Sequence, residues 1–159
     1  MPTFHTPRLT LTPCTPQDCA DFVALEQDPA VMRHLNGGLP VDRATADPNA
    51  DFLMPNGTEA HVWTARHHDG SFVGWFCLWP DEAGSAELGY RLKRTEWGQG
   101  LASEGAKVLV GWGFEEMAYR GITACTSAEN LASRRVMVKI GMTYLRMEKG
   151  EVWFQITRP

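Results

Sequence analysis

The 159-residue chain has no apolar run approaching the roughly 20 residues that a membrane-spanning helix needs. Its start, Met1-Pro2-Thr3-Phe4-His5, lacks the charged-then-apolar form of a secretion signal. The cytoplasm is therefore the expected location, with no membrane partner. There is no excess of positive charge: 15 Lys and Arg stand against 19 Asp and Glu, a net charge of −4. That balance argues against nucleic acid as a partner and favours neutral or cationic substrates. None of the four cysteines (Cys14, Cys19, Cys77 and Cys125) forms a Cys-x-x-Cys pair. No histidine pattern completes a zinc site, so no metal is expected. In a cytosolic chain all four thiols should be reduced, with Cys77 and Cys125 acting as small buried hydrophobes in apolar strands. Internal repeats, low-complexity tracts and linkers are absent, and the length suits a single domain over residues 1–159.

The most informative stretch is Trp97-Gly98-Gln99-Gly100-Leu101-Ala102. Before it, Ala86 to Leu92 reads as a strand; after it, Ser103 to about Met117 reads as a helix. Two glycines let the backbone turn sharply, and the first amides of the helix have no partner within it. The helix dipole makes that end mildly positive, so an anion such as a phosphate or diphosphate suits it. A Gly-x-Gly turn with no ligand is equally compatible with the local pattern. Two sharper motifs are excluded. No Gly-Lys-Ser/Thr follows, which rules out the nucleotide-triphosphate loop, and Ser103 occupies the third glycine position of the dinucleotide fingerprint.

The rest of the chain alternates clear and weak signals. Arg8 to Thr12 reads as a half-buried strand ended by Pro13. Thr15-Pro16-Gln17-Asp18 opens a helix to about Gln27, and Asp28-Pro29 opens a short second one to about Leu35. Residues 39–57, punctuated by Pro40, Pro48 and Pro55, read as a mobile, partly helical flap. Glu59 to Arg66 is an expected strand, with His67-His68-Asp69-Gly70 as a hairpin turn bearing two exposed histidines. Ser71 to Trp79 is an apolar strand, and Pro80 to Gly84 turns the chain into the strand before Trp97. In the following helix Gly105, Gly111 and Gly113 each cost about 1 kcal/mol against alanine. Small residues on one side would let that helix lie close to a sheet. Gly121 to Ser127 is the next strand. Asn130 then caps a helix whose apolar stripe is Leu131, Val136, Met137 and Ile140, stopped by Gly141. Met142 to Met147 and Glu151 to Arg158 pair across Lys149-Gly150. The strand–helix–strand unit around the Gly-x-Gly turn predicts a parallel pair, and both helix starts then leave the same sheet edge. Asn130 and Ser133, one turn apart, would face that edge, although Asn130 fits a plain helix cap as well.

Taken together, Ala86-Glu87-Leu88-Gly89-Tyr90-Arg91-Leu92, Trp97 to Ala102, Asn130-Leu131-Ala132-Ser133 and Lys139-Ile140-Gly141-Met142 resemble the GNAT acetyltransferases, closest to the ribosomal-protein N-acetyltransferase branch. The opening Thr6-Pro7-Arg8-Leu9-Thr10-Leu11 is similar to the usual start of that branch. The resemblance implies an α+β fold: one mixed, mostly antiparallel sheet with a parallel pair at the Gly-x-Gly crossover, flanked by about four helices. It implies acetyl-CoA as co-substrate and an amine acceptor, in a monomer or homodimer. The cofactor residues it implies are Trp97, Gly98, Gln99, Gly100, Leu101 and Ala102 at the diphosphate, Tyr90, Arg91 and Leu92 along the pantetheine arm, and Asn130 and Ser133 at the arm and its thiol end. Trp97 departs from the family's usual Gln or Arg, which removes a side-chain phosphate contact.

Chemistry follows from that ligand. An amine attacks a thioester only when neutral, so a base must take its proton, directly or through water. Glu87 is the favoured base, on the strand that would hold the thioester; Glu148 and Glu151 compete with it, and a solvated strand residue is the alternative for Glu87. The oxyanion needs a backbone N–H from the Leu88–Tyr90 region. Ser133 is the favoured partner of the departing thiolate, with Tyr144 second. The rival reading is a catalytically weak acyl-CoA-binding sensor on the same fold. A nicotinamide dehydrogenase fits poorly, for want of the third glycine and of a clean acidic residue about 20 positions on.

Overall fold

The computed structural model describes residues 1–34 and 57–159. Its framework is one eight-stranded sheet. In chain order the strands are β1 (Phe4–His5), β2 (Leu9–Pro13), β3 (Val62–His67), β4 (Phe72–Pro80), β5 (Ala86–Leu92), β6 (Gly121–Ser127), β7 (Thr143–Glu148) and β8 (Glu151–Thr157). They lie side by side in the order β1-β2-β3-β4-β5-β6-β8-β7. Every neighbouring pair is antiparallel except β5 and β6, the parallel pair expected at the crossover. The described helices are α1 (Cys19–Glu26), α2 (Leu101–Glu115) and α3 (Leu131–Lys139), three rather than about four.

The missing helix is the one expected from Asp28. Over residues 29–34 the chain makes turns instead. Asp28 does cap, its carboxylate accepting the Ala30 N–H at 2.9 Å. One i→i−4 bond follows, from Met32 to Asp28 at 3.1 Å. A single turn fixes several dihedrals for one bond, and nucleation at that length is unfavourable. The proposed flap at 39–57 lies outside the described residues, apart from Gly57. Leu131, expected in the apolar stripe of α3, is 55% exposed, while Met137 and Ile140 carry the buried face. Among the described residues, no helix is long and apolar enough to cross a membrane.

The alternation of β4 and β5 sends apolar side chains to both faces, so each face has its own core. On one face α2 covers Phe76, Leu78, Leu88 and Ile122. On the other, Phe22 and Leu25 of α1 pack on Val62, Phe72, Trp75 and Cys77. Each fully buried side chain of this size contributes about 2 kcal/mol. The small-residue side of α2 is what lets it lie against the sheet. A Cβ on Gly105 would sit 2.3 Å from Phe76 Cζ, and one on Gly113 would sit 3.1 Å from Ile122 and Leu78 methyls, whereas one on Gly111 meets nothing within 4 Å.

The start of α1 is tied to β3 by one carboxylate. Asp18 accepts the Thr15 N–H at 2.9 Å, the Thr64 hydroxyl at 2.7 Å and Arg66 Nη2 at 2.9 Å. Burial by itself would raise this carboxyl, but the Thr15 amide, the Thr64 hydroxyl and Arg66 outweigh it and hold Asp18 below its ordinary range.

Two outcomes are expected from these contacts. Gly111→Ala should raise stability by up to about 1 kcal/mol, while Gly105→Ala should lower it by about 1–3 kcal/mol through overpacking on Phe76, both read from urea midpoints. Because the folded-state Asp18 is the stronger acid, its contribution is full above the unfolded-state pKa and is lost as pH falls below that value and through the lower folded-state pKa. Asp18→Asn should therefore cost about 2 kcal/mol at pH 7 and much less at pH 3, as measured by urea unfolding at the two pH values.

Candidate active site

The site begins where β5 and β6 part. They pair at two positions, Ala86 with Ile122 and Glu87 with Thr123, and among the described residues the parallel ladder goes no further. Beyond them β5 stays paired to β4 through Leu92, and β6 stays paired to β8 through Ser127. The sheet therefore splits into a wedge with a strand edge on each side. Lys93 N–H bonds the Val73 carbonyl at 2.9 Å, and hydrogen-bonded and non-bonded pairs alternate from there. By that alternation Tyr90 and Leu92 turn their N–H and C=O groups into the wedge, and Arg91 turns its own toward β4. The Leu92 carbonyl is already taken, by the Trp97 indole N–H at 2.9 Å.

The Gly-x-Gly loop continues directly from this edge. Gly98 (φ 74°) and Gly100 (φ 80°) are both left-handed, a conformation that glycine adopts without steric cost. Among the described residues, the six amides from Gly98 through Ser103 donate to no protein acceptor, and the helical ladder starts with Glu104 N–H to Gly100 O at 3.0 Å. An ordinary helix leaves four such amides, here those of Gly100 through Ser103; Gly98 and Gln99 extend the row to six. Trp97 takes no part in it. Its amide bonds Arg94 O at 3.2 Å and its indole bonds Leu92, so both donors are spent on shaping the turn. Gln99 turns its carboxamide back to Thr95 O at 3.2 Å.

Two cations stand over this loop, from opposite ends of the chain. Arg8 Nη2 lies 3.5 Å, and Lys139 Nζ 3.4 Å, from where a Gly100 Cβ would be. Arg8 donates to the Gln99 carbonyl at 2.7 Å and to Glu104 Oε1 at 2.9 Å. With His5, Thr6 and Gly100 these residues line an open groove of about 550 Å³. Sequence reasoning passed over both cations: Arg8 stands 91 and 96 residues from its partners Gln99 and Glu104, and Lys139 lies on α3, outside any local pattern with the loop. Glu104, in the first turn of α2, is the carboxylate that fixes Arg8 in place.

On the α2 side of the wedge, Tyr90 Oη and Ser133 Oγ share a hydrogen bond of 2.9 Å that links β5 to α3. Burial raises the Tyr90 phenol, and Ser133 partly offsets that. Asn130 accepts the Ser133 N–H at 3.2 Å, the cap that its position suggested. Tyr144 is elsewhere, 56% exposed on β7 against the Phe154 ring. On the α1 side, Glu87 sits at the apex of the wedge. Cys125 lies between Glu87 Oε1 at 3.7 Å and Glu151 Oε2 at 3.4 Å. This thiol is no buried hydrophobe in an apolar strand; it is half-buried between carboxylates. Burial first, and then Glu87 and Glu151, push it well above its ordinary range. Glu148 stands opposite Glu151 on β7 and is bonded to Arg146 at 3.1 Å. The Arg91 side chain stacks 5.3 Å over Trp75, and burial draws its guanidinium down to about 10, opposed by Glu26. Of the hairpin histidines, His68 is exposed as expected, with its ring 3.0 Å from the Thr6 carbonyl, whereas His67 is half-buried and bonds Glu96 at 2.8 Å.

The chain resembles known proteins in sequence and in fold. Residues 8–143 match the family model for the acetyltransferase (GNAT) domain. The FsC-acetyl coenzyme A-N(2)-transacetylase of Aspergillus fumigatus is 33% identical over 181 aligned residues, spanning 99% of this chain and 77% of that relative. Among solved structures, a GNAT-family acetyltransferase from Bacillus anthracis superposes with a TM-score of 0.78 at 22% identity, covering 98% of each chain. RimJ from Mycobacterium smegmatis, solved in complex with CoA-disulfide, superposes with a TM-score of 0.70 at 18% identity, covering 98% of this chain and 86% of that one.

The Cys125 environment gives a direct expectation. Its thiol should alkylate slowly at neutral pH, since the thiolate is the reactive form. Glu151→Gln removes one opposing charge and should speed iodoacetamide labelling of Cys125 severalfold, as followed by peptide mass spectrometry; an unchanged rate would contradict the assigned charge coupling.

Proposed function

The chain belongs to the GNAT acetyltransferase family, and on that premise we propose that it moves an acetyl group from acetyl-CoA to a primary amine by direct attack within a ternary complex. The row of six undonated amides at Gly98–Ser103 carries this reading. It opens beside the free edge of β5, and a diphosphate is the ligand that such a row suits best. The residues fit the carrier along its length. The amide row and Lys139 would hold the diphosphate, and the Tyr90 edge would take the amide-rich arm as an added strand. Acetyl-CoA would supply an acetyl group activated as a thioester.

The chain's own groups divide the remaining work between two faces. Glu87 lies on the α1 face at the wedge apex and takes the proton that the attacking amine must lose. The Tyr90 N–H, directed into the wedge by the strand register, stabilises the developing oxyanion. Ser133, held by the Tyr90 hydroxyl on the α2 face, offers a hydrogen bond to the leaving thiolate. The carboxylate that receives the amine's proton and the hydroxyl that faces the leaving thiolate thus stand on opposite sides of the sheet. Cys125 is a nucleophile beside Glu87, and burial and the flanking carboxylates hold it as a thiol, which disfavours an acyl-cysteine route. The rest of the rate enhancement comes from holding amine and thioester together.

The acceptor is an amine on a small molecule or a protein N-terminus. The Aspergillus fumigatus relative's name specifies a nitrogen, N(2), as its target, which supports nitrogen acceptance here. The absence of a membrane-crossing helix among the described residues is compatible with action in the cytoplasm.

The test is coenzyme A release across a panel of amines, with wild type and Glu87→Gln. Wild type should release coenzyme A with at least one amine. Glu87→Gln should lower kcat by about a hundredfold or more while leaving acetyl-CoA affinity within about twofold. Full activity in the variant would move the base elsewhere. Binding without release under every amine would favour an acyl-CoA sensor.

A further inference from the structure

Glu104, one turn into α2, is the most heavily coordinated carboxylate near the amide row. It accepts the Thr6 hydroxyl, the Arg8 N–H at 2.9 Å and Arg8 Nε at 2.9 Å. Burial would raise it, but Thr6 and both Arg8 donors outweigh that and hold it ionised. The Thr6 hydroxyl oxygen also accepts the Leu9 N–H at 2.9 Å, so the segment between β1 and β2 is locked onto α2. This leaves the far end of the Arg8 fork aimed at one place, the Gln99 carbonyl at 2.7 Å.

That bond has a consequence for the neighbouring amide. A peptide unit is planar and trans, so the Gln99 C=O and the Gly100 N–H point in opposite directions. Gly98 and Gly100 both have positive φ and no Cβ, so little local cost opposes rotation of the intervening peptide units. We propose that Arg8 is a positioning residue for the diphosphate cradle: by holding the Gln99 carbonyl on its own side, it keeps the Gly100 N–H turned to the opposite side, into the cradle. Glu104 serves this role at one remove, by fixing the guanidinium. The proposal rests on the acetyl-CoA reading above. It differs from direct phosphate binding by Arg8, because it acts on the free protein.

The test uses the full chain as wild type, Arg8→Ala and Arg8→Lys. Lysine keeps the charge but cannot bond Glu104 and the Gln99 carbonyl as a fork. In the absence of carrier, amide NMR of Arg8→Ala should show exchange broadening confined to Gly98–Gly100. Calorimetry should then show about tenfold weaker binding, equal for coenzyme A and 3′-dephospho-coenzyme A, with Arg8→Lys intermediate in both readouts. A free loop unchanged in Arg8→Ala would overturn the proposal, whatever the affinity. So would a loss seen with coenzyme A and absent with its dephospho form, which would assign Arg8 to the ribose phosphate. Wild type that binds neither carrier would overturn the acetyl-CoA reading itself, and this proposal with it.

Discussion

Two registered positions between parallel strands, Ala86 with Ile122 and Glu87 with Thr123, are the constraint on which the site depends. Each strand is secured along its other edge, β5 by β4 and β6 by β8, so the gap between them cannot close by sliding without breaking a full antiparallel ladder. Backbone groups left over at such an edge are costly to bury unpaired and inexpensive to offer to a ligand. The Gly-x-Gly loop leaves β5 at that point, and α3 leaves β6 opposite it. Cradle, strand edge and the Tyr90–Ser133 pair therefore share one crevice because the sheet splits there.

The surroundings keep that crevice rigid. Gly105 and Gly113 bring α2 down onto Phe76, Leu78 and Ile122, which sets where the helix can begin. Leu101, 1% exposed, anchors its first turn. The Trp97 indole clips the loop back to Leu92. The segment from Thr6 to Arg8 braces the loop from outside through Glu104 and Gln99. A site that binds through backbone amides has to be preorganised in this way, because amides do not adjust as side chains do.

Most of this was legible in the sequence where the signal is local. The strand at Ala86–Leu92, the strand at Gly121–Ser127, the Asn130 cap and the Lys149-Gly150 turn each follow from short-range pattern, and so did the parallel pair, because a crossover fixes strand direction. The short strand at Phe4–His5 was missed, since two residues carry no period. The helix expected at Asp28 failed because a good cap does not offset a single-turn nucleus. Of the residues around the wedge and its loop, Glu87, Tyr90 and Ser133 were singled out in the sequence, whereas Arg8, Lys139 and the Cys125 environment were not. Those three depend on strands and helices brought together across 26 to 96 residues, a separation no window detects. Tyr90 was expected only as part of the pantetheine edge; its hydroxyl partner on α3 became visible only once β5 and α3 were placed side by side.

The chemistry assigned to the wedge follows from where charge is allowed to sit. Carboxylates gather on the α1 face, neutral hydroxyls on the α2 face, and backbone donors between them. The central claim is that the amides of the Gly-x-Gly loop grip the diphosphate of an acyl carrier. A crystal grown with coenzyme A tests it most directly. The account predicts diphosphate density within hydrogen-bonding distance of the Gly98–Ser103 amides, with the arm running along β5 toward Glu87. Density for the carrier elsewhere on the chain, with those amides still facing solvent, would contradict it.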